Sequence, residues 1–225
     1  MVKLVYPLKM LRISDKTVRN IKSVMGNKIS LKKVIDFVEL LNRYRRVKRI
    51  VMVNKENRWE NDIEHSYQLA MLAWYLLDSL KIKFNTDLVL KYALIHDIVE
   101  VYAGDTYCYT KNHYRKISKY KREKTAIEKI RKQFPEFKTL HKLIENYEKR
   151  KDFESKFVYA LDKVQPILQI YTDKGRTWKI KKIALENLID YKKNKVSSSP
   201  LVQQLFNELV KVLEKEEKKL FVFKK

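Results

Sequence analysis

The sequence predicts an all-α domain. Only three glycines (Gly26, Gly104, Gly175) and four prolines punctuate the 225 residues. Between them Leu, Lys, Glu and Ile dominate, and apolar residues recur at helical spacing. The periodicity marks helices at about 31–47, 62–80, 87–103, 115–133, 137–150, 154–171, 179–191 and 200–219. Pro135 and Pro200 stand at helix starts or linkers, and the Ser197–Pro200 stretch "SSSP" reads as a loop. Residues 1–30 are less periodic and are expected to form an N-terminal extension. Residues 31–191 then make the main domain, and 192–225 supply a C-terminal helix packing on it.

Bulk properties narrow the class. An apolar fraction of 45% is ordinary for a globular chain. No run of about 18 uncharged apolar residues occurs, so no membrane span is expected. In the start "MVKLVYPLKMLRISDK", Lys3, Lys9 and Arg12 interrupt the apolar patch and no small-residue cleavage site follows. That predicts no signal peptide. One cysteine, Cys108, cannot form an internal disulfide, which fits a reducing, cytoplasmic setting. Net charge is +23. A polyanion partner, either nucleic acid or a phosphate-bearing substrate, is one reading of that charge. The other is a lysine-rich surface, favoured because basic residues are spread along the chain and form no single stripe.

Several polar residues fall on apolar faces. In the helix after "NRWENDIEH", Leu69, Leu72, Ala73 and Leu76 form one stripe, and His65 lies four residues before Leu69. In the next, Leu88, Tyr92, Ile95 and Val99 mark the core side. His96 adjoins that stripe, and Asp97 and Glu100 are three apart, so the three can converge. In "SKFVYALDKVQPILQIY", Val158, Leu161 and Leu168 are buried candidates with Asp162 beside them. Pro166 removes the N–H that would bond the Asp162 carbonyl, which predicts a kink. Each polar residue alone has a plain alternative: a hydrogen-bonded core histidine, or Asp162 paired with Lys163. Together they describe imidazoles and carboxylates whose burial one multivalent cation would offset. The mixed nitrogen and oxygen set suits Mn, Fe, Co, Ni or Zn more than Ca.

The stretches "EHSYQLAMLAW", "YALIHDIVEVYAGDT" and "FVYALDKVQPI" together resemble the HD-domain metal-dependent phosphohydrolases. The likeness runs over roughly residues 31–191 and is strongest to the branch of bacterial 5′-deoxynucleotidases. It implies a helical HD-domain bundle with one divalent metal in its core, held by His65, His96, Asp97 and Asp162, with Mg a further candidate. It also implies that Glu100 and Asp105 handle water and the phosphate end of the substrate. The expected reaction is hydrolysis of a phosphomonoester, chiefly a (deoxy)nucleoside 5′-monophosphate. Other phosphorylated metabolites, cyclic or alarmone nucleotides, and a basic nucleic-acid-binding protein with a structural metal are the alternatives. Homodimer formation is compatible with this type of helical enzyme. The branch places an arginine followed by an aromatic residue before the first ligand. Arg49 stands at about that distance, with Arg43 and the Arg58–Trp59 pair as rivals. "YTDKGRTWK" (Tyr171–Lys179) reads either as a loop closing over a nucleotide or as a surface loop anchored by Trp178. His113 and His141 read as ordinary residues.

Overall fold

The computed structural model describes residues 30–110 and 112–222. The chain divides into two compact units, Met1–Asp36 and Phe37–Lys225. The expected extension over residues 1–30 lies outside the described residues, apart from Ser30. Everything below concerns the second unit, which α1 (Leu31–Tyr44) enters at Phe37.

After α1 the chain makes a small antiparallel hairpin, β1 (Lys48–Met52) with β2 (Trp59–Asn61), pairing Lys48 with Asn61 and Met52 with Trp59. The long helices α2 (Asp62–Ser79) and α3 (Thr86–Ile95) follow, then the single turn α4 (Glu100–Ala103). Next come α5 (His113–Ile117), α6 (Lys119–Gln133), α7 (Lys138–Glu148) and α8 (Phe153–Thr172). The chain finishes with α9 (Arg176–Lys181), α10 (Leu185–Val196), α11 (Pro200–Lys215) and α12 (Glu217–Leu220). Among the described residues, no helix is long and apolar enough to cross a membrane.

The expected helix over 179–191 is broken at Lys182 (φ 51°) into α9 and α10, and two further differences from the helical expectation bear on the site. The hairpin falls in a segment whose turn, "VNKENR", contains neither glycine nor proline; Lys55 supplies the positive φ (61°) instead. The expected helix over 87–103 is also interrupted at His96–Val99. There the bonds tighten to the i→i+3 pattern: the Ile98 N–H reaches the Ile95 carbonyl at 3.0 Å and the Glu100 N–H the Asp97 carbonyl at 2.8 Å. His96 keeps right-handed helical dihedrals, so the apolar periodicity passes through the break unmarked.

Helix α8 is the axis of the unit, packing against α2, α3, α7, α10 and α11. Phe157, Val158, Leu161 and Val164 are fully buried along it, each contributing about 1.5–3 kcal/mol of apolar burial. A helix buried on so many sides carries polar residues only where something meets them, and Asp162 and Gln165 are such residues. A second apolar cluster joins Leu40, Ile98, Val99, Ala126, Ile130, Leu140 and Ile144, clamping the His96–Val99 turn from behind.

Candidate metal centre and its cavity

The start of α2 is fixed by a capping box. The Asn61 side chain accepts from the Ile63 and Glu64 N–H groups, and Glu64 accepts in return from the Asn61 N–H. This sets the helix phase and turns His65 inward with Leu69 and Ala73. Helix α8 is capped likewise by Asp152 and Ser155, and the Tyr92 hydroxyl donates to Asp152 at 2.7 Å, tying α3 to α8. Three separately anchored segments therefore deliver His65, His96–Asp97 and Asp162 to one place. Each offers a donor atom within 4.8 Å of the others.

Hydrogen bonds select the imidazole tautomers. His96 Nδ1 donates to the Ala93 carbonyl at 2.9 Å, so a second proton or a metal ion must sit on the buried Nε2. The Gln165 amide nitrogen donates to Gln68 (2.8 Å) and Gln169 (3.1 Å), so its oxygen faces His65 Nδ1 at 3.0 Å and must accept. His65 Nε2 is then bare, 2.9 Å from Asp162 Oδ1. Burial, with Arg49 nearby, pushes the His65 pKa down to about 4, so no proton fills that gap at neutral pH. Two electron-rich atoms at that distance call for a cation between them.

His96 responds differently. Burial disfavours its charged form, but the Asp97 and Asp162 carboxylates outweigh this and push its pKa up to about 10. Its Nε2 lies 3.0 Å from Asp97 Oδ2 and 3.7 Å from Asp162 Oδ1. A proton and a metal ion compete for that nitrogen, and a metal binding there releases the proton. The donor set fits a divalent transition metal: two neutral imidazole nitrogens, two carboxylates, and outer partners that hold each ring.

The hairpin adds charges. Arg49 on β1 donates to Asp97 Oδ2 at 2.6 Å and stands 3.5 Å from Asp62 and 3.6 Å from Glu60. Asp62, Asp97 and Glu100 form a second group with carboxylate oxygens within 4.8 Å. Burial, followed by the Asp97 charge, pushes Asp62 up to about 8 and holds Glu100 well above the usual carboxylate range. Glu100 Oε2, Asp62 Oδ2 and Arg49 Nε are buried without hydrogen-bond partners. Asp105 follows Gly104, whose φ of 69° turns the chain back at the end of α4. Burial and the Asp97 charge raise its pKa as well, although Arg49 opposes them.

Part of this cluster lines a cavity of ≈140 Å³. Arg49, Asp97, Glu100, Asp105 and Asp162 all face it, so the structure brings the sequence-derived substrate, catalytic and ligand candidates together. Of the rival arginines, Arg58 is spent on Glu56 and Glu64 at the surface, and Arg43 lies outside the cavity lining. Trp178 is buried and stacked on Phe221, with ring centroids 4.5 Å apart. Arg176 is tied to Asp173 and the Val53 carbonyl, while Thr177 and Trp178 line the cavity, so "YTDKGRTWK" is anchored and also borders the cavity. His141 bonds the Phe134 carbonyl at 2.8 Å. Sequence reasoning missed Glu60, Asp62, Gln165 and Lys192, all buried. Gln165 alone had a signal, lying three residues after Asp162 on the same face.

The chain is 32% identical over 139 residues to the human protein 5′-deoxynucleotidase HDDC2, and 32% identical over 139 residues to its mouse counterpart. These alignments take in 60% of this chain and about two thirds of the relatives' length, 66% and 67%. Among solved structures, one from Magnetospirillum magnetotacticum MS-1, described as a predicted metal-dependent phosphohydrolase, superposes with a TM-score of 0.69. It covers 91% of this chain and 97% of its own at 24% identity, a likeness of fold. The HD-domain family model matches residues 41–204, which include every donor of the histidine–aspartate centre, and the chain belongs to the HD-domain family.

Proposed function

We propose that this protein is a metal-dependent phosphohydrolase that cleaves (deoxy)nucleoside 5′-monophosphates to the nucleoside and inorganic phosphate. The observation carrying the reading is the convergence of His65, His96, Asp97 and Asp162, whose two carboxylates line a cavity that also holds Arg49, Glu100 and Asp105. The substrate class follows the relatives' name, 5′-deoxynucleotidase.

In this reading His65, His96, Asp97 and Asp162 hold one divalent ion, with Mn, Co, Ni, Fe, Zn and Mg as candidates. Such an ion lowers the pKa of water toward neutrality and offsets charge on phosphoryl oxygens. Glu100, one turn from His96 and lining the cavity, takes a proton from the attacking water. The water oxygen bonds to phosphorus as the ester P–O bond breaks. Asp105, its pKa raised by burial, gives a proton to the departing oxygen. Arg49, which lines the cavity, donates to the phosphoryl group. Gln165 and the Ala93 carbonyl keep both imidazoles in the ligating tautomer. A reducing, cytoplasmic setting is part of the same reading, resting on the single free cysteine Cys108.

The test is phosphate release from a panel of nucleoside and deoxynucleoside monophosphates by protein stripped with chelator and reloaded with Mn, Co, Ni, Mg or Zn. Release restored by at least one metal is expected. No release with any metal would end the proposal.

A further inference from the structure

One charged group in the cavity is left without a partner by the chemistry above. Lys192 lies on α10, is 8% exposed and lines the same cavity as Asp97 and Glu100. Among the described residues its ammonium has no hydrogen bond or ion pair, and its recorded neighbour is the Tyr191 ring, 5.8 Å away. The other cavity lysines are engaged: Lys163 with Asp162, and Lys119 with Glu123 at 3.4 Å. The Lys192 Nζ is not wholly shielded and opens onto the cavity with no protein acceptor, and burial of the side chain lowers its pKa to about 8.

The surroundings indicate what acceptor belongs there. By formal count four basic groups line the cavity, Arg49, Lys119, Lys163 and Lys192, with four acidic ones, Asp97, Glu100, Asp105 and Asp162. Beside Lys192 the wall is aromatic and faceted, its rings inclined at 68° and 48° to one another. Tyr107, Tyr109 and Tyr191 pack in series with centroids 5.6 and 5.3 Å apart, and Ile183 and Leu188 complete it. Inclined tyrosine rings beside an unpaired ammonium suit a planar heterocycle that packs on one ring and carries an acceptor on its edge.

We infer that Lys192 is a substrate-recognition residue that donates to an edge acceptor of the nucleobase held against the Tyr107–Tyr109–Tyr191 wall. The inference rests on the nucleotidase reading and deepens it. Lys192 lies at the base end of the cavity and takes no part in the proton transfers of Glu100 and Asp105.

The test compares wild type with Lys192→Met, using thymidine 5′-monophosphate and the base-free 2-deoxyribose 5-phosphate as substrates. A charge-assisted hydrogen bond of this kind contributes on the order of 10–100-fold in kcat/KM. A loss of that size for the nucleotide, with the base-free ester unchanged, is expected. Equal effects on both would overturn the role. A second readout needs neither turnover nor metal: acetylation of Lys192 at pH 8, followed by peptide mass spectrometry with and without thymidine. Thymidine should slow modification of Lys192 and leave the exposed Lys91 unaffected; no protection at saturating thymidine would also overturn it. If Lys192→Met fails to fold, the protection experiment on wild type decides. If neither ester is hydrolysed, the nucleotidase reading fails while protection still decides Lys192.

Discussion

Replacing Gln165 by leucine isolates the outer support of the proposed metal centre without touching a donor atom. The Gln165 oxygen is the acceptor that holds the His65 Nδ1 proton at 3.0 Å and thereby keeps Nε2 bare, 2.9 Å from Asp162. Leucine fills similar space but accepts nothing. His65 is then free to protonate Nε2 toward Asp162, and that tautomer cannot ligate. Loss of such an outer partner lowers metal affinity about 10–100-fold, or about 1.4–2.7 kcal/mol. The amides of Gln68 and Gln169 lose a partner too, which costs the metal-free fold about 1–3 kcal/mol. Gln165→Glu is the control, because it keeps an oxygen at the same place. Calorimetric titration with Mn²⁺ at pH 7.5 reads the affinity, and circular-dichroism melts without metal read the fold. Gln165→Leu should bind weakly while Gln165→Glu stays within a few-fold of wild type. A Gln165→Leu protein that melts cooperatively and binds Mn²⁺ as tightly as wild type would refute the tautomer argument.

Further expectations follow from the same geometry. Glu100→Gln should keep its metal, measured by elemental analysis, while kcat for phosphate release falls about 10²–10⁴-fold; an unchanged kcat removes Glu100 from the chemistry. Glu60 is fully buried, and burial pushes its pKa from 4.5 to about 7. The folded state therefore holds its proton more tightly than the unfolded chain does. Stability from this group is present below pH about 4.5 and lost as pH rises through 7, by about 3 kcal/mol at most. Urea midpoints at pH 5 and 8 should differ less for Glu60→Gln than for wild type, and an equal pH dependence would count against a neutral buried Glu60. At Gly175 (φ 71°), an added Cβ would lie 2.1 Å from the Leu220 carbonyl oxygen. Gly175→Ala should cost about 2–3 kcal/mol of unfolding free energy, and a melting temperature equal to wild type would contradict that crowding.

The ligand candidates were legible because each breaks an otherwise apolar stripe. His65 precedes Leu69 by one turn, His96 adjoins Ile95, and Asp162 follows Leu161. A polar residue on a core face is visible only where the face itself is visible. Glu60 and Asp62 sit in "NRWENDIEH", where no periodic apolar pattern says which residues turn inward. Their burial comes from the hairpin, whose strands are short and whose turn lacks glycine and proline. Lys192 in "YKKNKV" is indistinguishable by sequence from the exposed Lys193 beside it. Only the packing of α10 on α8 separates the two. The break at His96–Val99 was invisible for the opposite reason: its backbone stays near-helical, and tightened bonds leave the apolar spacing intact.

Asp97 joins both carboxylate groupings and the Arg49 ion pair, so it tests the centre most directly. The decisive measurement pairs metal content with phosphate release from thymidine 5′-monophosphate, for wild type and Asp97→Ala protein reloaded with the same divalent ion. Wild type should hold about one metal per chain and release phosphate, whereas Asp97→Ala should hold none and release none. Turnover by metal-free Asp97→Ala at the wild-type rate would contradict the metal centre outright.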